Sequence, residues 1–218
     1  QAPEIDAIPV PETSTLKLQD TSETAPTFTF TKYDSSKTYI RLSLQSNAST
    51  YNAYEMMSRN VLSQLMTKGV CLKQKEFNEQ SIHSFLDNNG IDRKIFSAPY
   101  GIDLVVSTAS TEPKVINQMV SLLRSELHSP SLNKHQFDYL QRKIGAELAG
   151  SAGNVNREAS ILMAQQLFKN GGCNYQHSVE TLRDALYDLT HESIKEEHEK
   201  LLKHGIIKVS VLSPSDEV

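Results

Sequence analysis

The stretch from Tyr54 to Gly69, YEMMSRNVLSQLMTKG, limits the fold more than any other, because a long amphipathic helix pattern stands directly behind a strand pattern. Tyr54, Met57, Val61, Leu62 and Leu65 recur at steps of three and four, the period of one helix face. That face is expected to lie on a sheet, with Lys68 and Gly69 closing the helix as a basic last turn and a C-cap. Asn60, Ser63 and Gln64 stand on the flank, and Asn60 and Gln64 are one turn apart, as two metal ligands on one helix would be. Both are amides, which are poor zinc ligands beside imidazole, thiolate or carboxylate, so the spacing is present and the chemistry is missing.

The rest of the chain supplies the sheet and its cover. TFTFTKY (27–33) and TYIRLSLQ (38–45) alternate apolar with polar positions and are expected to form a hairpin over DSSK. A helix is expected over 74–88, with Phe77, Ile82, Phe85 and Leu86 inward and Asn88, Asn89 and Gly90 as its stop. IDRKIFSA (91–98) and GIDLVVSTA (101–109) read as a second hairpin turning at Pro99 and Tyr100. Thr111 is expected to cap a helix with Pro113 in its first turn, and Asn133 to cap another that carries Phe137, Leu140, Ile144 and Leu148 inward, with Glu147 at the edge of that face. Helices over 154–169, 179–188 and 191–204 follow, then the strand GIIKVSVL. Hairpins segregated from a run of helices imply an α+β fold: a mostly antiparallel or mixed sheet covered on one face by helices.

Residues 1–26 hold four prolines with many Thr and Ser and read as a linker or extended arm, leaving 27–218 as a single domain. With 22 Lys plus Arg against 26 Asp plus Glu, the net charge of -4 is small and interspersed, which gives no basic field for nucleic acid. No apolar run approaches the ~20 residues of a membrane helix, so no membrane span is expected. Cys71 and Cys173 match no paired metal spacing and read as two separate thiols. His191 and His198 lie two turns apart, about 10 Å at 1.5 Å per residue. That is too far for one ion, and with His204 they read as parts of a solvated, charged helix. No G-x-G-x-x-G, G-x-x-x-x-G-K or G-x-S-x-G occurs, which removes the usual footholds of nucleotide binding and serine hydrolysis. The start at Gln1 rather than Met suggests a processed form or a piece of a longer chain, and with it a periplasmic or secreted location.

Over residues 27–213 the chain resembles one homology unit of the pitrilysin/insulinase family of zinc metallopeptidases, the inverzincins. YIRLSLQS resembles the family's second strand and NVLSQLMTKG its first helix. SFLDNNGIDRKIFSAPYGIDLVVSTAS, LHSPSLNKHQFDYLQRKIGAELAG and HSVETLRDALYDLTHESIKEEHEKLLKHGIIKVSVL resemble the passages that follow, by pattern more than by identity. Active members carry H-x-x-E-H on the first helix, two zinc ligands with a water-activating glutamate between them, and a third ligand from a glutamate on a later helix. Carried over, the motif falls on Asn60-Val61-Leu62-Ser63-Gln64, with amides at both histidines and Ser63 at the base. The later glutamate corresponds to Glu147, the surviving position, which one carboxylate alone leaves as a helix-surface acid. The family's partner half also uses an Arg and a Tyr seven residues apart. Arg93 and Tyr100 have that spacing, whereas aligning strand with strand puts Leu86 and Arg93 there instead.

The resemblance implies an inactive domain: not an enzyme as an isolated chain and with no cofactor of its own. Zinc is expected in a catalytic homologous domain or subunit that pairs with it around a peptide substrate, and the isolated unit is expected either to self-associate or to expose a large apolar patch. The alternative it implies is a purely structural or assembly protein, like the degenerate core subunits this family contributes to respiratory complexes.

Overall fold

The chain's structure, a computed structural model, describes residues 13–16, 27–32, 36–47, 51–72, 75–172 and 174–214. In chain order the elements are β1 (Thr13–Leu16), β2 (Thr27–Lys32), β3 (Thr38–Gln45), α1 (Ala53–Met66), β4 (Gly69–Leu72), β5 (Lys75–Asn78), α2 (Glu79–Asn89), β6 (Ile91–Ala98) and β7 (Gly101–Thr108). They continue as α3 (Pro113–His128), α4 (Lys134–Ser151), α5 (Val155–Leu167), α6 (Val179–Asp188), α7 (His191–His204) and β8 (Ile206–Ser213). Six strands form one sheet in the order β1-β2-β8-β3-β7-β6, and β4 and β5 form a separate two-stranded ribbon.

Period-two alternation decides which way each strand faces. Ile40, Leu42 and Leu44 of β3 stand in register with Val106, Leu104 and Ile102 of β7 on one side, and with Val211, Val209 and Ile207 of β8 on the other. This apolar face takes the helices. Val61, Leu62 and Leu65 of α1 and Met119 and Leu122 of α3 are fully buried against it, each such side chain contributing roughly 2 kcal/mol of transfer free energy. The opposite face carries Tyr39, Arg41 and Ser43 of β3, Lys94 and Phe96 of β6, and Asp103 and Val105 of β7, and among the described residues no helix packs over it.

The sheet is mixed and covered on one face, as the segregation of hairpins and helices implies, and the 91–98/101–109 hairpin forms with Ile91 opposite Thr108 and Ala98 opposite Gly101. The expected hairpin of 27–33 with 38–45 does not form. β8 lies between those strands, antiparallel to β3 and parallel to β2. The arm reading of 1–26 is revised at 13–16, which pair antiparallel with β2, while the rest of that stretch lies outside the described residues. The first helix ends at Met66 with Thr67 as its C-cap, and Gly69 opens β4 instead of capping. The helix expected over 74–88 is a strand to Asn78 and a helix from Glu79. Asn78 caps it by accepting from the Ser81 N–H, and Gly90 ends it in the left-handed conformation. Glu112, not Thr111, takes the N-cap of α3 and makes no side-chain cap bond, since Pro113 at the first position already fixes the turn. Asn133 caps α4 as expected, accepting from the His135 and Gln136 N–H groups. Among the described residues, no helix is long and apolar enough to cross a membrane.

Candidate functional site

Helix α1 holds the motif positions because it is wedged between the sheet and the other helices, against β6, α4, α6 and α7. Asn52 starts it by accepting from the Glu55 N–H at 2.8 Å. Asn60 and Gln64 fall on its half-buried stripe and turn to each other, the Gln64 Nε2 donating to the Asn60 Oδ1 at 2.7 Å. Ser63 is buried, and its hydroxyl donates to the Asn60 carbonyl at 2.9 Å, so it is held on its own helix rather than aimed at a water or a substrate. Glu147 stands on the outer side of α4 with 63% of its side chain exposed, 3.8 Å from the Lys143 ammonium one turn back. These donors do not fit zinc: two amides satisfy one another, a hydroxyl is turned into its helix, and the one carboxylate is set against a lysine. Among the described residues, no group of three His, Cys, Asp or Glu side chains is placed to hold a metal ion.

Arg93 and Tyr100 lie on opposite faces of the sheet. Arg93 is buried on the helix side, where it donates to the Glu126 carboxylate and, at 3.0 Å, to the Thr67 carbonyl. Leu86, the alternative from strand alignment, is a buried core residue. Burial pushes the Glu126 carboxyl up to about 7 despite the pull of Arg93, and among the described residues its Oε2 has no hydrogen-bond partner. Tyr100 lies on the open face, where its hydroxyl donates to the Asp103 Oδ2 at 2.7 Å and accepts from Arg41 at 2.6 Å. Asp103 is fully buried there beneath Arg41, Tyr100 and Ser43, and burial with the Asp103 charge raises the Tyr100 hydroxyl pKa.

Sequence reasoning missed a third cluster, one residue from the motif. Arg59 is 1% exposed on α1, and its Nε donates at 2.9 Å to Glu197 of α7. Its Nη1 donates to the Pro99 carbonyl at 3.3 Å, and its guanidinium carbon sits 5.3 Å from the centre of the Tyr51 ring. Lys200 bridges Glu197 and Glu55 at 3.7 and 3.1 Å, so α1 is tied to α7 by alternating charges. The available signal was Arg59 placed among apolar helix positions. Glu197 was hidden in the charge-rich run of α7. That run is also less solvated than its composition implies. His198 is 7% exposed, its Nε2 lies 2.8 Å from the Leu127 carbonyl, and burial lowers its pKa. His191 lies 2.7 Å from the Leu132 carbonyl, while His204 is exposed on the last turn. Cys71 is an exposed free thiol, and Cys173 lies outside the described residues.

Comparison with solved structures places this arrangement in a known class of fold. The chain superposes on a peptidase M16 inactive domain from Pseudomonas fluorescens with a TM-score of 0.72 at 13% identity, over 94% of this chain and 47% of that one. It superposes on a protease from Helicobacter pylori with a TM-score of 0.73 at 11% identity, over 95% and 48%. The first half of the periplasmic protease PqqL from Escherichia coli gives 0.70 at 13% identity, over 94% and 43%. No protein-family model and no curated protein matches the chain. The fold is therefore that of an M16 peptidase unit, the architecture expected from the pitrilysin/insulinase resemblance, and the chain spans about half the length of these solved neighbours.

Proposed function

We propose that this chain is a non-catalytic unit of a zinc metallopeptidase of the M16 type, pairing with an H-x-x-E-H-bearing unit and forming part of the wall of its peptide chamber. The observation that supports the reading is the Gln64–Asn60 amide pair on α1, the helix onto which the family resemblance carries the zinc-binding motif. An amide pair cannot lower the pKa of a bound water, and Ser63 cannot accept its proton, so the unit lacks the means of hydrolysis. Its contribution is shape and surface. Neighbours about twice the length of this chain support a second, homologous unit as the partner. Zinc belongs to that partner.

The test is reconstitution. The purified chain alone shows no peptidase activity, and adding it to an H-x-x-E-H unit from the same source raises peptide hydrolysis well above that of the unit alone. Unchanged hydrolysis together with no complex by sizing chromatography overturns the reading in favour of a purely structural subunit.

A further inference from the structure

We draw no further inference here: the strongest candidate, the exposed apolar patch of Val155, Leu162, Met163 and Leu167 on the outer side of α5, carries none, because nothing in the described structure shows what covers it.

Discussion

Among the described residues Arg59 heads the fully buried side chains by size, and its cost is offset through one carboxylate, one carbonyl and one aromatic face, with no hydrogen-bond partner among them for Nη2. Removing one member of such a pair strands the other. Glu197→Leu is expected to destabilise the chain by roughly 3–5 kcal/mol, and the double variant Arg59→Met/Glu197→Leu to recover most of that loss, both measured by urea denaturation. Glu126 gives a second residue-scale expectation. Its folded pKa of about 7 lies above the ordinary carboxyl value of 4.5, so the folded chain binds the extra proton between those values and stability gains as pH falls from about 7 toward 4.5. His198 acts oppositely: its pKa is held below the usual 6.5, so its contribution is lost as pH falls through that range. Glu126→Gln should therefore remove the gain and leave a stability curve that only declines on the acid side of pH 7. An unchanged profile by denaturant titration across pH 4.5 to 8 would show that Arg93 keeps Glu126 ionised throughout.

At the scale of elements, the last strand is the structural keystone. β8 stands between β2 and β3 and supplies both registers, so deleting residues 206–218 opens the middle of the sheet rather than trimming its end. The truncated chain is expected to lose cooperative unfolding altogether by circular dichroism. Gly101 has the opposite character, a single position with no room. A Cβ there would meet the Leu44 carbonyl oxygen at 1.8 Å, backbone that cannot turn aside. Gly101→Ala is expected to break the pairing of Gln45 with Gly101 and to destabilise by roughly 2–4 kcal/mol in urea, on the scale of overpacking a rigid contact. Gly90→Ala, at the left-handed end of α2 with open space around it, should cost only about 1 kcal/mol.

For the whole molecule, the helices and the one-sided sheet hold together through apolar burial and buried ion pairs. Chelators should therefore leave its melting temperature unchanged, and elemental analysis finding about one tightly held zinc per chain would overturn the reading of Asn60, Ser63 and Gln64. What the sequence determined by itself was everything set by local period and local chemistry: α1 and its polar stripe, the β6–β7 hairpin over Pro99 and Tyr100, the Asn133 cap, and the bounds of α6 and α7. Each depends on residues a few positions apart, which is the range over which side-chain direction is fixed by the backbone. Only the tertiary structure decided the rest. It placed β8 between β2 and β3, buried Arg59 against Glu197 138 residues away, and sent Arg93 and Tyr100 to opposite faces of one sheet. Strand order and ion pairing across such separations follow from which surfaces can be buried together, and no local pattern carries that information.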